Sequence, residues 1–149
     1  MIKFSLNKVE TILKLLPFVD NCCIIADPTK SNCVCLICPN PKHVTDLLCE
    51  QDETTRNEVN NLKEINGVNE KSKELNRILE KNAKVVDKLT KDVTNHCLSQ
   101  GLERFEIPLR IKFVSEIWLP DTGFVTDSLK LKRKEIENFY KNEIQILYK

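Results

Sequence analysis

Four cations fall within five positions at Lys130-Leu131-Lys132-Arg133-Lys134, directly after the turn-forming stretch Asp121-Thr122-Gly123-Phe124-Val125-Thr126-Asp127-Ser128-Leu129. Such a run can neutralise phosphate or carboxylate oxygens, and a lysine does so as a compact point charge on a long stem. A positioned cation lowers the barrier of any step that builds charge on those oxygens. Taken alone, the same run also describes a solvated face, the start of a surface helix or a nonspecific anion patch.

Other residue types with chemical potential are less organised. Cys33, Cys35 and Cys38, with Cys22 and Cys23 upstream, have metal-ligating side chains. Zinc sites use paired C-x2-4-C knuckles on turns, closed by a second pair or by histidines. These cysteines instead lie inside apolar runs without glycine, with Cys33 and Cys35 on one strand face, and they read as buried thiols acting as small hydrophobes. No metal site is expected. His43 and His96 are far apart, sit in no nucleophile motif, and read as surface or helix-packing residues. Asp20, Asp121 and Asp127 form no acid/base pair; Asp127 before Ser128 reads as turn or cap chemistry for a last helix. Trp118 is a core or interface residue, since one aromatic beside mixed charge is a poor nucleic-acid signal.

The 149 residues are enough for one domain with a real core. Hydrophobic residues at 41% and charged residues at 30% are ordinary for a globular protein, and a net charge of +1 offers no global field for nucleic acid. There are three glycines and neither a GxxxxGK[ST] nor a GxGxxG phosphate loop. Seven cysteines, an odd number without a secretory leader, point to a reducing, intracellular setting. No stretch reaches the roughly 18 apolar residues of a membrane span, so the chain is expected to be soluble.

The elements that must position these residues follow from periodicity. Leu6, Val9, Ile12, Leu13 and Leu16 make a short amphipathic helix with Ser5 as N-cap and Pro17 as stop. Residues 18–26 and 33–38 are β-prone runs around the turn 27–32, which predicts an antiparallel hairpin buried on at least one face. Pro41 opens a helix through Val44, Leu47 and Leu48. Residues 51–71 are polar and are expected as a mobile loop. Leu75, Leu79, Val86, Leu89, Val93 and Cys97 predict one long helix stopped at Gly101. Residues 107–114 alternate as a third strand, and a final helix is expected after Ser128, carrying Leu131, Ile136, Phe139, Ile144 and Leu147. The fold class is therefore α+β: a small sheet with a β-hairpin and a third strand, packed by helices.

Two segments carry a resemblance. Leu102-Glu103-Arg104-Phe105-Glu106-Ile107-Pro108 and the run from Leu119 to Ile136, with its Thr122-Gly123-Phe124-Val125-Thr126-Asp127, resemble the closing signature of long-chain fatty acyl-CoA synthetases, of the adenylate-forming superfamily. Ser5 to Glu10 resembles the first helix of that family's C-terminal lid, and Phe18 to Asn21 the strand after it. The resemblance runs in order over nearly the whole chain and weakens across 51–71. It implies a single C-terminal lid domain over 1–149, with the fold of that domain in adenylate-forming enzymes. The adenylation domain, its phosphate loop and the fatty-acid tunnel would be absent, and so would the hinge and Gly-Glu loop that the family places where Met1-Ile2-Lys3 stands.

The implied reaction joins fatty acid, ATP and CoA into acyl-CoA, AMP and pyrophosphate, with Mg2+. The family places its adenylation lysine in a turn-lysine-apolar-x-basic-basic-x-apolar pattern. Lys130 fits it, with Leu131, Arg133, Lys134 and Ile136 in register, and Thr122 and Gly123 would shape the loop that delivers it. Lys132, Arg133 and Lys134 keep two readings, solvated or facing CoA phosphates. The expected partner is the adenylation domain of a synthetase, in cis or in trans, and the parent enzymes serve endoplasmic reticulum, mitochondrial outer or peroxisomal membranes. Alone the chain is expected to be inactive, because proximity and orientation are most of what such a lysine contributes. The alternative is a non-catalytic module that docks on a full-length synthetase, which an exposed apolar patch around Trp118 and Phe124 would favour.

Overall fold

The computed structural model describes residues 5–149; the Met1-Ile2-Lys3 segment lies outside the described residues. Its centre is a three-stranded sheet in the order β1-β2-β3, with β1 at Val19–Ala26, β2 at Cys33–Pro39 and β3 at Arg110–Phe113. β1 and β2 form the antiparallel hairpin predicted from the turn at 27–32, where Asp27 accepts from the Thr29 backbone N–H at 2.9 Å. β3 joins β2 in parallel, Val34 opposite Arg110 and Ile37 opposite Phe113. Everything between those strands is therefore one crossover connection, and it is helical as a parallel pairing requires.

Alternation along the strands sorts the core into two halves. Cys22, Ile24, Cys33, Cys35 and Ile37 face one side, against Val9, Leu13, Val44, Leu79, Leu89 and Val93. Cys23, Ile25, Val34, Leu36 and Cys38 face the other, against Trp118, Phe124, Val125, Ile136 and Tyr140. With both faces covered, β2 reads as an unbroken apolar run rather than an alternating one. The first face is covered by α1 (Leu6–Leu13), α2 (Pro41–Cys49), α4 (Val68–Lys81) and α5 (Ala83–Ser99), and the second by α6 (Arg133–Phe139), α7 (Lys141–Leu147) and residues 114–125. Each fully buried Leu, Ile or Val contributes about 1.5–3 kcal/mol relative to an exposed one. Ser5 caps α1 by accepting from the Lys8 N–H at 3.3 Å, and Asn40 caps α2 with Pro41 in its first turn.

Three expectations need correction. Residues 51–71 are not a loop: Asp52 accepts from the Thr55 N–H at 2.7 Å and starts α3 (Glu53–Asn60). A 3-10 turn at Asn61–Glu64 follows, and α4 begins at Val68. The segment is polar because α3 buries only Thr55 and Val59, four apart on one face. The single helix expected over 75–97 is two helices. Asn82, at φ −99° and ψ 85°, leaves helical geometry and caps α5 through the Val85 N–H at 3.2 Å. The last helix begins at Arg133, not after Ser128, and pauses at Tyr140 before α7. Asp127 and Ser128 therefore belong to a turn and do not cap that helix. Among the described residues no helix is long and apolar enough to cross a membrane.

Candidate functional site: a lysine on an anchored turn

Lys130 lies on a tight reversal of the chain. An antiparallel bridge pairs Val125 with Leu131, and the Lys132 N–H donates to Phe124 O at 2.9 Å. Inside that bridge the Thr126 N–H donates to Lys130 O and the Leu129 N–H to Thr126 O, both at 2.8 Å. The Lys130 N–H in turn donates to the Thr126 hydroxyl at 3.0 Å. Leu129 takes φ +66°, a left-handed conformation uncommon for a residue with a Cβ. Such strain persists where the surroundings over-determine the backbone, and here Thr126 bonds Lys130 twice and Leu129 once. The Lys130 side chain is exposed, and among the described residues no acceptor is bonded to its ammonium.

Both arms of the turn are anchored. On the incoming arm Phe124 stacks on Tyr140 with ring centroids 5.8 Å apart, meets Phe139 edge-on at 5.1 Å and tilts against Trp118 at 6.0 Å. The Trp118 Nε1–H donates to the Tyr140 hydroxyl at 3.1 Å, which donates to Glu116 Oε1 at 2.9 Å. Burial pushes the Tyr140 hydroxyl far above its ordinary value, so it remains a donor. On the outgoing arm Arg133 binds Glu10 of α1 bidentately, at 2.7 and 2.8 Å. It also donates to Ile24 O at 3.2 Å and Asn7 Oδ1 at 3.2 Å. The second hydrogen-bond partner of Glu10 is the Ile24 N–H, at 2.7 Å. The Glu10 side chain is 4% exposed and that of Arg133 28%. A planar guanidinium matched to a carboxylate in this way fixes direction as well as distance.

The other residues singled out from the sequence divide between shape and solvent. The Thr122 hydroxyl donates to Leu119 O at 2.8 Å and accepts from the Leu119 N–H at 2.9 Å, closing a 3-10 turn at Pro120–Thr122. Gly123 follows at φ +87°, with nothing within 4 Å of where a Cβ would stand, so backbone conformation and not space is what demands glycine. Lys132 and Lys134 are exposed. Arg133 is engaged by α1 and β1, a geometry at odds with a free phosphate contact. Trp118 and Phe124 are 6% and 7% exposed, so they form core and not a surface patch.

The cysteines are free and six of the seven are buried. Burial pushes the Cys23 thiol up to about 12 and those of Cys33 and Cys97 to about 11, and holds those of Cys35 and Cys38 well above the ordinary thiol value. Raised in this way, these thiols are poor nucleophiles near neutral pH. Among the described residues no group of three or more His, Cys, Asp or Glu is placed to hold a metal. The His96 ring contacts Ile12 O at 2.8 Å and joins α5 to α1, and His43 packs on Phe18. Sequence reasoning missed Glu10. Its signal is a carboxylate between the buried Val9 and Leu13 of α1, where an acid needs a partner.

The backbone as a whole matches solved structures of adenylation domains. Over 97% of the chain it superposes on the A-PCP didomain of carboxylic acid reductase from Segniliparus rugosus, in complex with AMP, with a TM-score of 0.68 at 14% identity. It superposes on the adenylation domain of a carboxylate reductase from Mycobacterium chelonae with a TM-score of 0.67 at 13% identity. These alignments cover 16% and 18% of those chains. The fold is that of a part of those adenylation-domain structures. No protein-family model matches the chain. By sequence it is 35% identical to Long chain acyl-CoA synthetase 8 of Arabidopsis thaliana, 30% to Long-chain-fatty-acid--CoA ligase 4 of Saccharomyces cerevisiae and 28% to Fatty acyl-CoA synthetase B of Dictyostelium discoideum, in each case over 97% of its residues. It spans 18–19% of those relatives' length. The curated relatives of this chain are long-chain acyl-CoA synthetases, and it corresponds to about a fifth of their length.

Proposed function

We propose that Lys130 is the adenylation lysine of an ATP-dependent long-chain fatty acid–CoA ligase, and that this chain is the lid that carries it. In that reaction the fatty carboxylate attacks the α-phosphorus of ATP, pyrophosphate leaves, and the CoA thiol then displaces AMP. Charge gathers on carboxylate and phosphate oxygens in the first step, and an ammonium delivered there stabilises it. The observation that carries the reading is a contrast three residues apart. Arg133 is fixed by a bidentate pair, whereas the Lys130 ammonium is exposed and unbonded on the turn that pair anchors.

Thr122 and Gly123 shape the approach to that turn. Lys132 and Lys134 are free to meet the CoA phosphates, and Arg133 is assigned to positioning. ATP, Mg2+ and CoA would be held chiefly by the adenylation domain of a synthetase, the partner that this lid needs. Mg2+ there would neutralise the departing pyrophosphate, while the residues of this chain bring one cation and a rigid mount for it. The membranes served by the parent enzymes would then be reached through other parts of the synthetase.

The test is complementation. A synthetase truncated before its lid is mixed with this chain, and ATP-dependent acyl-adenylate formation is measured beside a Lys130→Ala control. Rescue that disappears in the variant is the expected result. Equal rescue by both chains would remove Lys130 from the chemistry.

A further inference from the structure

The Lys130 ammonium is unbonded, but both peptide groups of that residue are held, and by one and the same neighbour. The Lys130 C=O accepts from the Thr126 N–H at 2.8 Å, and the Lys130 N–H donates to the Thr126 hydroxyl at 3.0 Å. The first bond is backbone to backbone, so any residue but proline would supply it at position 126. The second needs a side-chain acceptor on a short stem, four residues before the lysine. The Thr126 hydroxyl also lies 3.1 Å from that of Ser128, inside the same turn. Thr126 is the last partly buried residue before the exposed run 127–130, and so joins the packed arm to the lysine.

What the hydroxyl fixes is direction. The Lys130 N–H belongs to the peptide plane shared with Leu129, which stands at φ +66°. That conformation is disfavoured for a residue with a Cβ and persists only where something holds it. The backbone bonds of the turn pin the Leu129 N–H and the Lys130 C=O, and leave the plane between them to the hydroxyl. The Leu129 side chain is 64% exposed and has little packing with which to hold that plane instead. Rotation of the plane changes φ of Lys130 and with it where Cβ points, and a long side chain multiplies the error at its ammonium. Misplacing a reacting group by about 1 Å costs on the order of a hundredfold in rate.

We propose that Thr126 is a positioning residue for Lys130: its hydroxyl locks the peptide plane between Leu129 and Lys130 and so aims the ammonium at the oxygens that gather charge during adenylation. The inference rests on the reading of Lys130 as the adenylation lysine, and it adds the residue that directs that lysine.

Thr126→Val keeps the β-branched shape and loses the acceptor, whereas Thr126→Ser keeps the acceptor. The chain, unaltered or with one substitution, is fused behind a long-chain acyl-CoA synthetase truncated before its lid. Acyl-adenylate formation from laurate and ATP is measured, and separately the conversion of supplied lauroyl-adenylate and CoA to lauroyl-CoA. Thr126→Val is expected to slow the first step roughly tenfold and the second by no more than about twofold, and Thr126→Ser to restore most of the first. A merely structural loss would lower both steps together, because the lid is proposed to meet CoA as well. In the chain alone, the Lys130 N–H of Thr126→Val should exchange with solvent roughly tenfold faster by NMR, with an unchanged circular dichroism spectrum. If Lys130→Ala in the same fusion forms adenylate at the unaltered rate, or the unaltered fusion forms none, the reading of Lys130 falls and this one with it. If Lys130→Ala slows the first step and Thr126→Val does not, the role of Thr126 alone is refuted. Equal loss in the Val and Ser variants, equal loss in both steps, or unchanged exchange of the Lys130 N–H would each overturn the proposal.

Discussion

Replacing Arg133 by alanine tests whether the mount of the Lys130 turn is what the geometry makes it. The substitution strips two charge-assisted bonds from a carboxylate that is 4% exposed and leaves it the Ile24 N–H as its remaining hydrogen bond. Removing one partner of a buried pair costs about 3–5 kcal/mol. Arg133 is 28% exposed and solvent screens part of the interaction, which brings the expected loss to about 2–4 kcal/mol. For a chain of this size that lowers the melting temperature by on the order of 10 °C. The assay is urea unfolding followed by circular dichroism and by Trp118 emission. Glu10→Gln keeps an acceptor for Ile24 and should cost less, about 1–3 kcal/mol. Joined with Arg133→Met it should show a coupling of about 2 kcal/mol, since residues in one network are not additive. A loss below about 1 kcal/mol for Arg133→Ala, or a coupling near zero, would mean that the pair is a surface ornament and that the turn is held by Phe124 alone.

Two further outcomes follow from burial and capping. In the native chain a thiol reagent near neutral pH should label Cys49, which is partly exposed, and leave the six buried cysteines for the unfolded state; mass spectrometry of a time course reads this, and fast native labelling of Cys23 or Cys35 would contradict it. The Thr55 backbone N–H holds the Asp52 carboxyl below its usual range, so the cap supports α3 fully above the unfolded carboxylate value of about 3.9 and loses its hold as pH falls through the lower, folded value. Amide exchange in α3 should therefore speed up in acid, and Asp52→Asn, which caps without titrating, should abolish that dependence.

Much of the fold was legible because local rules and global burial agree. Ser5, Pro41 and Gly101 mark ends that the structure keeps, and the hairpin follows from two apolar runs about a polar turn. The parallel register of β3 was not legible, since alternation reveals a strand but not its neighbour. The region 51–71 misled because α3 buries two residues where a usual amphipathic helix buries a stripe. Leu79 and Val86, seven apart, keep helical register across Asn82, so the break between α4 and α5 is a backbone event that periodicity does not reveal. At the site, the run after Gly123 pointed to Lys130, and the structure shows that lysine exposed, next to Leu129 at φ +66°. Reading Arg133 as one of three equivalent basic residues could not anticipate Glu10, because the pair joins positions 123 apart in the chain.

The distance along the chain between those partners also orders events during synthesis. As the ribosome releases the chain from its N-terminal side, α1 and the β1-β2 hairpin emerge early, but β2 has no second neighbour until residues 110–113 appear. Glu10 has no cation until Arg133 follows, and the Ile25 carbonyl does not receive the Tyr148 hydroxyl until later still, at 2.9 Å. Early intermediates therefore carry Glu10 without its cation and β2 with one edge unpaired. The lysine turn and the cation of Glu10 leave the ribosome together, so a nascent chain that has closed around Glu10 has also just finished building its proposed catalytic arm.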